Sequence, residues 1–227
     1  MSGIDYNVNP FIVIWEVTRA CALSCVHCRA EAQYHRYPDE LDTDQAKTLI
    51  RDIHAMDNPI LVFTGDDPLM RDDLFELTWY AASLGMRVSM TPSATPRVTR
   101  DAVKRAKAAG LSRWAFSLDG PDAKSHDYFR GTRGSFDRTL RGISYFQQED
   151  MSFQINTTVT EYNVDQLPAI AELVGALGVS VWTLFFLVPT GRGSLLQPIT
   201  PERHEEVLRW AFALQAEEPY CVYQPST

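Results

Sequence analysis

The chain has 227 residues, of which 45% are hydrophobic and 22% charged, and this ordinary globular mix predicts a single domain over residues 1–227. Its formal net charge of −8, without a basic stripe, argues against a nucleic-acid partner, since phosphate binding needs clustered Lys and Arg. No apolar run approaches the roughly twenty residues of a membrane span, and the N-terminus lacks a signal-peptide pattern. We therefore expect a cytoplasmic chain with no membrane partner.

Predicted strands and helices alternate along the chain. The first strand is the apolar run at 11–17, of the kind buried on both faces in a parallel sheet. Further strands are predicted at 60–64, 86–90, 114–118, 153–159 and 181–188, with a possible short seventh strand at 220–223. Helices are predicted from Thr43 to the Asn58-Pro59 pair and at 72–84, 99–109, 135–148, 164–177 and 201–216.

This alternation predicts an α/β fold with a parallel sheet and right-handed crossovers. Six strand–helix units are too few for a closed eight-stranded barrel. We therefore predict a partial (βα)6 TIM-type barrel that is open on one side. A flat, doubly wound sheet is the structural alternative.

Three cysteines, Cys21, Cys25 and Cys28, lie within eight residues directly after the first strand. Cysteine thiolates hold iron–sulfur clusters, and three ligands would leave the fourth iron of a cubane cluster open to another molecule. Structural zinc usually takes four protein ligands, for which His27 is the nearest additional candidate. A disulfide framework is not favoured by this spacing. The segment therefore predicts a [4Fe–4S] cluster, with zinc as the alternative.

Together with the preceding residues 15–20, this motif resembles the radical S-adenosylmethionine (radical SAM) superfamily, in particular its peptide-modifying and haem-biosynthesis branch. The resemblance implies that the open iron binds S-adenosylmethionine. It implies that an electron from the cluster cleaves this cofactor to methionine and a 5′-deoxyadenosyl radical. The radical would abstract hydrogen from a peptide, a tetrapyrrole or another substrate, and a flavodoxin or ferredoxin would donate the electron.

The resemblance assigns a cofactor role to the Gly65-Asp66-Asp67-Pro68 turn after the second strand. These residues occupy the place of the family's Gly-Gly-Glu/Asp-Pro motif, which binds the amino group of the cofactor. Glycine permits close backbone approach, and a carboxylate accepts hydrogen bonds from an ammonium group. Asp66 departs from the family, which has a second glycine there, and a positive φ at this position would be costly.

Five further residues are implied as cofactor contacts, and each has a structural alternative. They are His27 beside the last cysteine, Ser117 and Asp119 at the end of the fourth strand, Arg130 behind it, and Asn156 on the fifth strand. Ser117 and Asp119 also suit a cap or turn, and Asn156 also suits a buried polar group with a backbone partner. His27 and Arg130 are equally compatible with ordinary loop positions.

Two other features receive no assigned role from the sequence. Gly191-Arg192-Gly193 is predicted to be a flexible loop. Cys221 is a candidate ligand of an auxiliary cluster, with a small apolar residue as the commoner alternative for a lone cysteine. The relatives usually continue into a cysteine-rich domain, which this sequence lacks, so we expect an exposed sheet edge covered by substrate or another chain. A catalytically impaired relative acting as a scaffold is the second alternative to an enzyme.

Overall fold

A computed structural model describes residues 9–30 and 32–223 of the chain. Seven strands lie within these residues: β1 Ile12–Glu16, β2 Ile60–Thr64, β3 Val88–Met90, β4 Arg113–Ser117, β5 Phe153–Val159, β6 Val181–Phe186 and β7 Cys221–Tyr223. Seven α-helices accompany them: α1 Thr43–His54, α2 Leu74–Ser83, α3 Arg100–Ala108, α4 Ala123–Phe129, α5 Ser135–Gln148, α6 Leu167–Leu177 and α7 Pro201–Glu217. None of the described helices is both long and apolar enough to cross a membrane.

The sheet follows the chain, with its seven strands ordered β1 to β7. Strands β1 to β4 pair in parallel with their neighbours, as do β5, β6 and β7. This order is what right-handed strand–helix–strand units produce when each unit adds one strand beside the last. The predicted alternation and parallel sheet are confirmed, and so is the seventh strand.

Contacts group the chain into two compact units, each with its own core. The first contains β1 to β3, α1 to α3 and β4 as far as Trp114; fully buried Phe63, Leu77 and Trp114 belong to its core. The second contains the rest of β4 and all later elements; Phe116 and Phe146 pack edge to face in its core, with ring centroids 5.3 Å apart. The first unit carries Cys21, and the second carries Cys25 and Cys28.

Polar caps fix where several helices begin. Asp42 accepts a hydrogen bond from the N–H of Gln45, and the Gln45 side chain accepts from the N–H of Asp42. This capping box supplies partners that the first helical turn lacks, and it confirms the predicted start of α1. The Thr99 hydroxyl caps α3 by accepting from the N–H of Ala102, and the Thr200 hydroxyl caps α7 by accepting from the N–H of Arg203.

Two predictions about local structure were wrong, and one helix was missed. Strand β1 is not buried on both faces, because Ile12 is 44% and Ile14 62% exposed at the first position of the strand order. Helix α4 was not predicted; its seven residues are too few for a clear periodic pattern, although Asp122 caps it. Gly191–Leu195 is a 3-10 helix rather than a flexible loop.

Candidate functional site

In the first unit, the turn at Gly65 lies directly on the backbone that follows β1. Gly65 has a φ of +113°, and a Cβ there would lie 2.3 Å from the carbonyl oxygen of Thr18. The N–H of Asp66 donates to this oxygen over 3.1 Å, and the N–H of Asp67 donates to the oxygen of Ala20 over 2.9 Å. Position 65 therefore requires glycine for its conformation and for its packing.

Asp66 does not adopt the strained conformation that its position raised as a concern. The described non-glycine residues with positive φ are Asp57, Asn58 and Asp150. The departure from the family's second glycine therefore carries no left-handed backbone cost in this chain. A role for Asp66 in cofactor binding stays a prediction.

Asp67 has a structural role in this turn. It is fully buried, and its Oδ1 accepts from the N–H of Leu69 at 3.2 Å and of Ser93 at 3.3 Å, capping the 3-10 helix Pro68–Met70. Ser93 donates its hydroxyl to the oxygen of Asp66 over 2.9 Å and lies 3.5 Å from the Cys21 sulfur. Sequence reasoning missed Ser93, although its position shortly after β3 fits the rule that ligands bind beyond the carboxyl ends of parallel strands.

In the second unit, Asp119 and Arg130 form a buried ion pair. Arg130 Nε lies 2.8 Å from Asp119 Oδ2, and Asp119 Oδ1 accepts from the N–H of Thr158 at 2.8 Å. Burial raises the pKa of Asp119, but the charge of Arg130, the nearby His27 and His126 and the hydrogen bond from Thr158 together hold that pKa below its usual value. The carboxylate is thus ionised and fixes the guanidinium in place.

Arg130 extends this ion pair to the cysteine segment. Its Nη1 donates to the sulfur of Cys25 over 3.6 Å, and Cys28 donates its thiol to the oxygen of Ala30 over 2.8 Å. None of the four cysteines, which all lie in the described residues, forms a disulfide, so each sulfur can act as a thiolate ligand. A guanidinium beside Cys25 suits a sulfur that carries negative charge when it binds metal. This donor set fits a cluster.

His27 is held as a neutral ring. It stacks on Phe129 with ring centroids 4.4 Å apart, and burial together with the charge of Arg130 lowers its pKa to about 4. Its Nδ1 is buried with no hydrogen-bond partner among the described residues. The structure thus places His27 against an aromatic side chain, and its contact with an adenine stays a prediction.

Among the described contacts, the side chains of Ser117 and Asn156 make no hydrogen bond to Asp119 or Arg130. Ser117 is half-buried at the end of β4. The Asn156 side-chain oxygen accepts from Gln154 Nε2 at 2.7 Å, so its partner is a side chain rather than the backbone group considered from the sequence. Cofactor contacts for both residues stay predictions.

Arg192 is the residue that sequence reasoning missed most clearly. Its Nε donates to the oxygen of Cys25 and its N–H to the oxygen of Cys28, both over 2.9 Å. The available signal was a basic residue shortly after the sixth predicted strand, where site residues gather in parallel α/β folds.

The cluster ligands stay a prediction from the motif. In the part of the chain that the structure describes, no three His, Cys, Asp or Glu side chains are gathered as a ready-made metal site. The prediction that Cys21, Cys25 and Cys28 bind a cluster therefore depends on their spacing in the sequence.

Comparison with known proteins places these features in a family. The model of the Radical SAM superfamily matches residues 15–174, a range that includes all three clustered cysteines. The chain belongs to the radical SAM superfamily. This confirms the resemblance drawn from the sequence, and S-adenosylmethionine with a [4Fe–4S] cluster is the cofactor pair typical of that family.

Two curated relatives come from the haem-biosynthesis and peptide-modifying branches. The chain is 47% identical over 203 residues to an AdoMet-dependent heme synthase of Nitratidesulfovibrio vulgaris, covering 88% of this chain and 55% of that protein. It is 32% identical over 216 residues to the mycofactocin maturase MftC of Mycolicibacterium smegmatis, covering 93% and 53% respectively. The chain therefore spans about half the length of these relatives.

Solved structures show the same fold. Streptococcus suis SuiB bound to S-adenosylmethionine matches with a TM-score of 0.81 at 14% identity, over 96% of this chain and 51% of SuiB. SuiB bound to its precursor peptide SuiA matches with a TM-score of 0.76 at 18% identity, over 96% and 49%. The predicted fold class is confirmed by this likeness.

Proposed function

We propose that this chain is the cofactor-binding part of a radical SAM enzyme, with Cys21, Cys25 and Cys28 as the ligands of a [4Fe–4S] cluster. The observation that carries this proposal is the Cys-x3-Cys-x2-Cys segment inside the family match at 15–174. A bound cluster supplies the electron for reductive cleavage of S-adenosylmethionine, which yields the radical that takes hydrogen from substrate. The other residues of the site would position the cluster and the cofactor.

The positioning roles follow from the two described networks. Asp119 holds Arg130 as a fixed cation beside the Cys25 sulfur. We assign Gly65, Asp66 and Asp67 to the amino group of the cofactor on the family resemblance, because their turn follows β2, where ligands bind in parallel α/β folds, and a carboxylate accepts hydrogen bonds from an ammonium group. Contacts of Ser117, Asn156 and His27 with the nucleoside part are proposed on the family resemblance.

The substrate class is proposed from the relatives. The heme synthase and MftC names, and the peptide bound to SuiB, favour a tetrapyrrole or peptide substrate. A flavodoxin or ferredoxin is the proposed electron donor. Cytoplasmic location stays a prediction from the sequence, and it suits four cysteines that form no disulfide, since reducing compartments disfavour disulfides.

Iron content tests the proposed ligands. We expect anaerobically reconstituted wild-type protein to bind about four iron atoms per chain. Cys21→Ala, Cys25→Ala and Cys28→Ala should each lose most of this iron, because a cubane with two protein ligands is poorly held. Cys221→Ala is the matched control and should keep the wild-type content, since Cys221 is exposed on β7. Zinc in place of iron, or full iron in any of the three variants, would contradict the assignment.

Cofactor cleavage separates an enzyme from a scaffold. Cluster-loaded wild-type protein, reduced in the presence of S-adenosylmethionine, should form 5′-deoxyadenosine, measured by chromatography. A fully loaded cluster that yields none would favour the catalytically impaired alternative. This assay needs no knowledge of the substrate.

A further inference from the structure

The segment Gly191-Arg192-Gly193 lies on the backbone of the cysteine loop at 25–29. Arg192 makes two hydrogen bonds to that loop, from Nε to the oxygen of Cys25 and from its N–H to the oxygen of Cys28, both of 2.9 Å. These two carbonyls belong to two of the proposed cluster ligands. One residue thus bridges the loop at both of these positions.

The flanking glycines permit this close contact. Gly191 has a φ of +54°, and a Cβ there would lie 2.4 Å from the oxygen of Arg29 and 2.8 Å from that of Cys28. A Cβ at Gly193 would lie 3.1 Å from the oxygen of His27. Any larger residue at 191 would push the segment away from the loop, because backbone atoms cannot yield as a flexible side chain can.

Arg192 differs from Arg130 and Arg209 in having no carboxylate partner among the described residues. Arg130 is paired with Asp119, and Arg209 with Glu205. The described residues provide Arg192 with no such carboxylate, and its Nη2 is buried without a hydrogen-bond acceptor. A buried donor and charge left in this state are unfavourable unless an anion comes close. The thiolates of a metal-bound loop are anions of that kind.

We infer that Arg192 is a positioning residue that holds the loop between Cys25 and Cys28 in its ligand-presenting conformation and keeps a positive charge beside it. This inference rests on the proposed function, because the loop matters to catalysis only if its cysteines bind the cluster. Fixing the loop before metal arrives lowers the conformational entropy lost on binding. Groups that orient metal ligands typically change metal affinity by about 10- to 100-fold when they are removed.

The first test uses metal-free protein, so that it does not depend on the cluster. Alkylation of Cys25 and Cys28 under native conditions at one fixed pH is followed by mass spectrometry, with exposed Cys221 as the internal reference. Arg192→Ala and Gly191→Ala should raise the alkylation rates of Cys25 and Cys28 several-fold, because a loop that has lost these contacts opens locally more often. The rate at Cys221 should not change.

Matched controls separate loop contact from general effects. Gly178→Ala places alanine at a φ of +71° with no atom within 4 Å of the Cβ, so it imposes backbone strain without a clash. Arg209→Ala removes an exposed arginine, whose side chain is 78% accessible. Both controls should alkylate like wild type. Arg192→Lys keeps the charge but not the planar fork, and we expect partial recovery.

The second test measures iron loss from reconstituted protein to a chelator. Arg192→Ala should lose iron about tenfold faster than wild type and the two controls, and Arg192→Lys should fall between them. Wild-type alkylation and iron-loss rates in folded Arg192→Ala and Gly191→Ala would overturn the inference. If Arg192→Ala does not fold, Arg192→Lys and Gly191→Ala decide the question. A wild-type protein that binds no iron would instead contradict the proposed function. The alkylation experiment would still test whether Arg192 holds the loop, because it uses metal-free protein.

Discussion

His126 is a buried histidine whose protonation state is fixed by its neighbours. It is 1% exposed, and its Nδ1 accepts a hydrogen bond from the N–H of Asp119 over 3.1 Å. The proton of the neutral ring therefore lies on Nε2, which has no partner among the described residues. The pKa of His126 is lowered to about 4, chiefly by burial; Arg130 and Arg138 also lower it, whereas Asp119 and Asp127 raise it.

This arrangement predicts a stability that falls with acid. Between about pH 6.5 and pH 4 the unfolded chain binds a proton at His126 and the folded chain does not, so the free energy of unfolding decreases as pH falls through this window. The full shift corresponds to about 3 kcal/mol for this one group. Urea unfolding of wild type at pH 7, 5.5 and 4 measures the slope.

The variant His126→Gln measures how much His126 contributes to the pH dependence of the free energy of unfolding. Glutamine does not titrate, so the variant should lose less stability between pH 7 and pH 4 than wild type. His35→Gln, at an exposed histidine, is the control and should keep the wild-type slope. Equal slopes for wild type and His126→Gln would show that His126 does not carry this pH dependence.

At the scale of elements, the turn after β2 is set by close contact with the segment after β1. Gly65 packs against the backbone of Thr18. The N–H of Asp66 donates to the oxygen of Thr18, and the N–H of Asp67 donates to the oxygen of Ala20. The turn and the cysteine-bearing segment of the first unit are therefore fixed together. A change in one should shift the other.

Gly65→Ala should destabilise the fold more than a comparable glycine change elsewhere. Both Gly65 and Gly85 have positive φ, +113° and +86°, but only Gly65 has an atom within 4 Å of an added Cβ. Gly85→Ala should cost about 1–2 kcal/mol from backbone strain. Gly65→Ala should cost roughly 2 kcal/mol more, from the displaced backbone. Urea unfolding of both variants measures the difference, and equal losses would show that the contact with Thr18 is not tight.

At the scale of the whole molecule, the first strand of the sheet order presents apolar side chains to solvent. Phe11, Ile12 and Ile14 are 59%, 44% and 62% exposed, and in the described part of the chain β1 pairs with β2 alone. An apolar edge strand is a template for pairing with other chains. The sequence did not predict this apolar edge at β1, which was expected to be buried on both faces.

Ile14→Lys should reduce self-association of this chain without loss of stability. A charge on an exposed edge position disfavours strand pairing between copies, and little buried area is lost there. Light scattering at increasing protein concentration measures the effect. Met56→Lys, at a 44% exposed apolar residue outside the strands, controls for added charge. Equal scattering from both variants would point away from β1 as the associating surface.

Local patterns made much of this protein predictable. The Asp42–Gln45 cap, the strand at 60–64 and the alternation of elements are determined by residues a few positions apart. The short helix α4 and the 3-10 helix at 191–195 were missed because neither is long enough to show a period. Strand β1 was misjudged because apolar composition does not tell which faces are covered.

The sequence by itself determined the cysteine spacing, and hence the family, because three thiols within eight residues need no fold to become neighbours. The tertiary structure decided that Asp119 holds Arg130 beside Cys25 and that Arg192 bonds to the loop, the latter across 167 residues of chain. It also decided that Asp66 is unstrained. Such contacts depend on how separate strands and helices pack, and no local pattern of side chains encodes that geometry.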